Sequence, residues 1–176
     1  YQEAAQGGPS DADAILGTLS PDGSTLIYST YVGTNQADQG YFMDLDNDDN
    51  VWIYGTTQGG FDWPVTDGVF SVENGSLFIT KFDPELTEIQ TSTTIGAEGF
   101  GGGGSPVAFL VDRCDRVYIS AFSAAAGLPL TDDALFTAGG FYLAAFVEDL
   151  DSLAYGTYYT DNHVDGGTSR FDKSGI

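Results

Sequence analysis

Residues 15–57 read ILGTLSPDGSTLIYSTYVGTNQADQGYFMDLDNDDNVWIYGTT, and this stretch decides the fold. Short runs of Val, Ile, Tyr, Phe and Thr alternate with segments of Gly, Pro, Asn, Asp and Ser, a pattern typical of short strands joined by tight turns. The pattern predicts four strands, at residues 14–19, 25–32, 40–46 and 51–57. No window carries a sustained 3.6-residue apolar period, so we expect almost no helix.

The same pattern restarts twice further along the chain, which predicts strands at residues 77–83, 88–95, 106–111, 117–122, 141–147 and 153–158. Sixty-three residues separate Leu19 from Phe82, and 64 separate Phe82 from Phe146. Matching positions in the next strand show the same two spacings; they are Tyr28, Thr91 and Tyr155. Two independent sets of anchors therefore indicate an internal repeat.

Four strands per repeat with no helix between them predict an all-β fold of β-propeller-type blades, each with four antiparallel strands. We expect about three copies: residues 1–13 are the tail of a preceding blade, followed by repeat 1 (14–76), repeat 2 (77–140) and a truncated repeat 3 (141–176). A fourth strand of repeat 3 should begin at Ile176. Propellers normally have 4–8 blades, so we expect this chain to be part of a larger propeller and a longer parent protein.

Charge and composition exclude several functions. The chain has 5 basic and 26 acidic residues and a net charge of −21, which disfavours nucleic acid and anionic membranes as partners. No apolar run approaches the roughly 18 residues of a membrane helix, so we expect no direct membrane insertion. The single cysteine, Cys114, excludes an internal disulfide.

The densest group of oxygen ligands is DLDNDDN at residues 44–50. Calcium takes six to eight oxygen ligands, so Asp44, Asp46, Asp48 and Asp49 are candidate Ca²⁺ ligands. The segment lacks the Gly and distal Glu of an EF-hand, and Asp and Asn suit a metal-free hairpin turn equally well. Both interpretations stay open.

We predict no catalytic residue. His163 has no Ser or Cys nucleophile in an elbow-like context, and Cys114 between two charged residues suits a structural turn. The glycine-rich segment 99–105 lacks the Gly-Lys-Ser/Thr ending of a phosphate loop and is interpreted as a connector.

Five aromatic residues have two interpretations. They could form a sugar-stacking platform, or they could pack between blades, as aromatics at alternating strand positions commonly do. They are Tyr31, Trp52, Trp63, Tyr158 and Tyr159.

Several segments resemble the seven-bladed β-propeller repeat family of bacterial surface and secreted proteins. The resemblance lies in SPDGS at 20–24, YSTYVG at 28–33, Asp46 with NVWIYG at 50–55, and DWPVTDGVF at 62–70. In the second repeat, Glu85 replaces the turn Gly and Gly127 replaces the loop Asp. Residues 111–118 and 163–172 resemble a Bacteroidetes subset associated with gliding motility and exported by type IX secretion.

The resemblance implies a non-enzymatic repeat module at the extracellular or outer cell surface. Such a module acts as a scaffold or adhesin-like surface for protein or glycan, without a shared catalytic site. The alternative is a carbohydrate-active propeller enzyme, a glycosidase or lyase, that uses Asp/Glu pairs and calcium. Carboxylates with raised pKa in a central pocket would favour the enzyme.

Overall fold

The computed structural model describes residues 2–6, 12–98, 104–122 and 127–159. These ranges contain ten strands and one 3₁₀ turn, Glu148–Leu150. The strands are β1 (Ala14–Leu19), β2 (Leu26–Val32), β3 (Asp38–Leu45), β4 (Val51–Thr57), β5 (Gly75–Phe82), β6 (Ile89–Glu98), β7 (Ser105–Val111), β8 (Val117–Phe122), β9 (Phe141–Phe146) and β10 (Leu153–Tyr159). Within the described ranges, no helical segment has the length and apolar character that a membrane crossing requires.

All ten predicted strands are present. Three of them, β1, β4 and β8, have the predicted bounds, and the largest difference is at the end of β6, which continues three residues beyond the predicted position 95 to Glu98. The predicted final strand of repeat 3, at Ile176, lies outside the described residues.

The strands form three antiparallel sheets, which confirms the all-β fold class. One four-stranded sheet has the order β3-β4-β5-β6, a second has the order β10-β9-β8-β7, and β1 pairs with β2 alone. Each four-stranded sheet therefore joins the last two strands of one sequence repeat to the first two of the next. A repeat can be delimited at any point of its period, whereas hydrogen bonding decides which four strands share a blade-like sheet.

The repeats have the same strand register. Leu19, Phe82 and Phe146 each end the first strand of a hairpin, and each pairs with the residue seven positions further along the chain, next to a register shift. Leu19 is 57% exposed, whereas Phe82 and Phe146 are fully buried. The difference arises because β4 and β8 flank the two phenylalanines.

The core lies between the sheets, on both faces of the first four-stranded sheet. Successive β4 side chains point to opposite faces, as a strand requires. Trp52 and Tyr54 join a cluster with the second sheet, while Val51 and Ile53 join a cluster with the β1–β2 hairpin. Each repeat thus buries apolar side chains against its neighbour.

The turn between β5 and β6 corrects one detail of the repeat alignment. Leu86, not Glu85, occupies the position of Gly23: their φ angles are 60° and 72°. Leu150 in the third repeat has a φ of 62°. Leu86 and Leu150 are 2% and 0% exposed, so burial offsets the roughly 1–2 kcal/mol cost of a left-handed conformation.

The three matching positions allow a direct test of the packing. We expect Phe82→Ala or Phe146→Ala to lower the free energy of unfolding by about 3–5 kcal/mol, because each removes a fully buried ring. Leu19→Ala, at the matching exposed position, should cost less than about 1 kcal/mol. Urea unfolding of the 176-residue chain measures all three. Equal losses at Leu19 and Phe82 would contradict the packing.

Candidate functional site

The candidate site is the end of the sheets formed by the hairpin turns. Because strands alternate in direction, the turns after β1, β3, β5, β7 and β9 lie at the same end of their sheets. We call this surface the acidic turn end and define it as residues 20–25, 46–50, 83–88, 112–116 and 147–152. Its acidic residues are Asp22, Asp46, Asp48, Asp49, Asp83, Glu85, Glu88, Asp112, Asp115, Glu148, Asp149 and Asp151.

Asp46 organises the turn between β3 and β4. Its Oδ1 accepts hydrogen bonds from the backbone N–H groups of Asp48 at 3.0 Å and Asn50 at 2.9 Å. Its Oδ2 accepts hydrogen bonds from Asn50 Nδ2 at 2.9 Å and Trp52 Nε1 at 3.2 Å. The carboxylate therefore satisfies turn donors and anchors a core indole.

Asp112 does the same in the second sheet. Its Oδ1 accepts hydrogen bonds from the N–H groups of Cys114 at 2.7 Å and Arg116 at 3.1 Å, and its Oδ2 accepts one from the Tyr118 hydroxyl at 3.0 Å. The aromatic partner changes from Trp to Tyr, but the bond is kept. The repeated aspartate thus has a structural role in both turns.

Lys81, at the end of β5, connects the two four-stranded sheets. Its Nζ lies 3.2 Å from Asp46 Oδ2 and 3.2 Å from Asp149 Oδ1, in the β9–β10 turn of the second sheet. The ammonium also lies 5.3 Å from the centroid of the Trp52 ring, within cation–π range. The Lys81 and Asp46 side chains are 12% and 2% exposed, so the pair is largely shielded from water.

The surroundings keep both groups of this pair charged. Burial acts to raise the pKa of Asp46, but hydrogen bonds from Asn50, Trp52 and Lys81 outweigh it and hold that pKa below its usual value. Burial acts to lower the pKa of Lys81, but the two aspartates outweigh it and raise that pKa. The buried carboxylate is therefore matched by an ammonium at neutral pH.

The four predicted calcium ligands have different environments. Asp44 Oδ2 accepts a hydrogen bond from Val111 N–H in the second sheet at 3.0 Å, and Asp46 has the partners above. Asp48 and Asp49 are exposed. Among the described residues, no group of three or more His, Cys, Asp or Glu side chains is arranged to hold a metal ion. Calcium at this turn stays a prediction.

Three of the five aromatic residues with two interpretations pack in the core. Trp52, Trp63 and Tyr158 are 0%, 5% and 1% exposed, which confirms the interpretation that they pack in the core. Trp63 stacks on Phe78 with ring centroids 4.0 Å apart. Tyr159 is exposed and belongs to neither core cluster.

Two other predicted features can be placed only in part. Cys114 is an exposed free thiol in the β7–β8 turn. His163 and most of the glycine-rich segment, residues 99–103, lie outside the described residues.

Sequence reasoning did not identify Lys81. Comparison of the repeats could have found it: Lys81 is basic, whereas the matching positions in the other two copies are Thr18 and Ala145. A lone basic residue on a strand of so acidic a chain indicates an ion pair specific to that repeat.

A scan of protein-family models found no match to the chain, and a search of curated proteins found none either. Membership of the propeller repeat family therefore stays a prediction.

The Lys81 contact gives the next test. We expect Lys81→Met to lower the free energy of unfolding at pH 7 by about 2–3 kcal/mol, because it leaves Asp46 buried without its cation. Asp46 stabilises the fold above its unfolded pKa of 3.8, and that contribution is lost as the pH falls through its lower folded pKa. The difference from wild type should therefore shrink below about pH 4.

The matched control removes the other partner of Lys81. The Asp149 side chain is 57% exposed, so Asp149→Asn should cost less than about 1 kcal/mol. Chemical denaturation at pH 7 and pH 3 measures both variants. A Lys81→Met loss that does not depend on pH would show that lost packing, and not the ion pair, causes the effect.

Proposed function

We propose that the chain is a non-enzymatic repeat module of a secreted or cell-surface bacterial protein. It serves as a scaffold or adhesin-like interaction surface of the type associated with gliding motility. The observation that carries the proposal is the acidic turn end, where exposed carboxylates from successive turns are presented on sheets braced against each other. The partner is a protein or glycan that carries positive charge.

Contacts between neighbouring turns support a rigid surface. Asn47 Nδ2 in the β3–β4 turn donates hydrogen bonds to Arg113 O at 3.0 Å and Asp115 Oδ1 at 3.3 Å in the β7–β8 turn. A rigid surface loses little conformational entropy on binding. The net charge of −21 would attract a cationic partner and speed encounter, an effect that salt screens.

The alternative is a carbohydrate-active propeller enzyme. A glycosidase needs a carboxyl group with raised pKa that touches the glycosidic oxygen. Burial raises the pKa of Asp38, but this residue is only 1% exposed, at the end of the sheet opposite the turns. A sugar polymer cannot reach such a carboxyl group, which favours a binding module over the enzyme.

A glycan array and a panel of basic protein ligands, read for both binding and product release, test the proposal. We expect binding without cleavage. The Kd should rise about threefold or more as the salt concentration rises from 50 to 300 mM. Sugar release by the wild-type chain would overturn the proposal in favour of the enzyme.

A pair of double variants locates the binding surface. Asp48→Asn/Asp49→Asn removes two exposed charges from the acidic turn end and should weaken binding at least about threefold. Asp132→Asn/Asp133→Asn removes two exposed charges from the β8–β9 connection at the opposite end and should have a smaller effect. Equal losses in the two variants would contradict a binding role for the turns.

A further inference from the structure

A second acidic site lies at the opposite end of the molecule, beside Gly33. A Cβ atom placed on Gly33 would lie 2.6 Å from Asp13 Oδ1 and 3.0 Å from Asp38 Oδ2. The two carboxylates therefore face one small volume that glycine leaves open. Asp13 precedes β1 and Asp38 begins β3, so two separate segments meet here.

Asp38 has an oxygen whose interactions are incomplete. Its Oδ2 accepts hydrogen bonds from Thr34 N–H at 2.5 Å and the Thr34 hydroxyl at 2.9 Å. The Thr57 hydroxyl faces this carboxyl group across the β3–β4 pair, but Asp38 Oδ1 is buried and forms no hydrogen bond of normal geometry among the described residues. A buried carboxylate oxygen is normally satisfied by a donor or a metal ion.

The side-chain amide of Gln2, beside Gly33, also has a buried oxygen without a hydrogen-bond partner among the described residues. Gln2 Nε2 donates a hydrogen bond to Gly33 O at 3.0 Å, which holds the side chain beside Gly33. Gln2 Oε1 is buried and lacks a hydrogen-bond partner in the described part of the chain. Carboxylate and amide oxygens are both acceptors, so neither can satisfy the other, and a cation would satisfy both.

The fold does not require these acids. With the strand register shared by the repeats, Ser76 stands at the position of Asp13 and Gly104 at the position of Asp38. The second repeat builds its hairpins without either carboxylate. A buried acid and a half-buried acid that one repeat has and the next lacks indicate a function beyond folding.

No basic side chain of the described residues forms an ion pair with Asp38. Lys81 pairs with Asp46 and Asp149, and Arg113 and Arg116 lie in the β7–β8 turn, at the acidic turn end. The Asp13 and Asp38 carboxylates are close enough to repel each other. This environment would favour a bound cation.

We propose that Asp13, Asp38 and the Gln2 side-chain oxygen bind a divalent cation of the calcium type beside Gly33. The three side chains supply oxygen only, which suits Ca²⁺ and disfavours metals that prefer nitrogen or sulfur. A cavity of about 330 Å³ lies on the other side of Gly33; it is lined in part by Gln2 and Thr34 but by neither Asp13 nor Asp38, and it gives room for water ligands. The site is separate from the turn at residues 44–50.

The bound ion would tie the N-terminal segment to the first four-stranded sheet. Asp38 N–H donates a hydrogen bond to Ala12 O at 2.6 Å, and Gln6 N–H donates one to Asp13 Oδ2 at 2.6 Å. These contacts already hold residues 6 and 12–13 against β3. A cation between Asp13 and Asp38 replaces the repulsion in this contact with attraction, so binding should stabilise the fold.

Calorimetric titration of the 176-residue chain with CaCl₂, and thermal unfolding in CaCl₂ or EDTA, test the site. We expect one Ca²⁺ per chain and a higher Tm in calcium. Asp38→Asn should raise the Kd for Ca²⁺ at least about tenfold and remove the Tm increase. Asp133→Asn, at an exposed position of the β8–β9 connection, should change neither.

Gly33→Ala gives a second variant that keeps both carboxylates. Its Cβ would occupy the volume between Asp13 and Asp38, so it should weaken calcium binding even if Asp38→Asn fails to fold. Absence of both heat and Tm shift in the wild-type chain would overturn the proposal. So would calcium binding that Asp48→Asn abolishes while Gly33→Ala leaves it unchanged. These outcomes are independent of partner binding at the turns.

Discussion

Burial of the first four-stranded sheet on both faces is the constraint on which the rest of the structure depends. Along β4, Trp52 and Tyr54 pack towards the second sheet while Val51 and Ile53 pack towards the β1–β2 hairpin. A sheet buried on one face exposes side chains on the other, whereas this strand is buried at six of its seven positions. The stacking of sheets therefore brings the hairpin turns into one surface.

Buried carboxylates at the two ends of the sheets differ in their partners. At the acidic turn end, the buried carboxylate of Asp46 has turn amides, an indole N–H and Lys81 as partners. At the opposite end, Asp38 is equally buried but retains an oxygen without a hydrogen-bond partner among the described residues. Desolvating a charge is costly unless it is paired, and this difference is the basis for proposing a cation at Asp38 and none at Asp46.

Much of the fold could be predicted from sequence because strands and turns are local features. Alternating apolar residues and Pro-Asp-Gly turn chemistry located all ten strands. The equivalence of Leu19, Phe82 and Phe146 also followed from spacing, and the common register confirms it. The alignment of Glu85 with the turn glycine, Gly23, was wrong. Glycine is the residue expected at a positive φ, but Leu86 takes that conformation here because its side chain is buried.

The candidate sites were harder to predict, since charge density along the chain does not reveal which oxygens already have partners. The sequence by itself determined the strands and their repeat, because strand and turn patterns are local and their recurrence can be read along the chain. Only the tertiary structure decided which strands share a sheet, that Lys81 bridges two sheets, and that Asp13 and Asp38 meet at Gly33. These contacts join residues far apart in the chain, and their energies depend on burial, which no local pattern records.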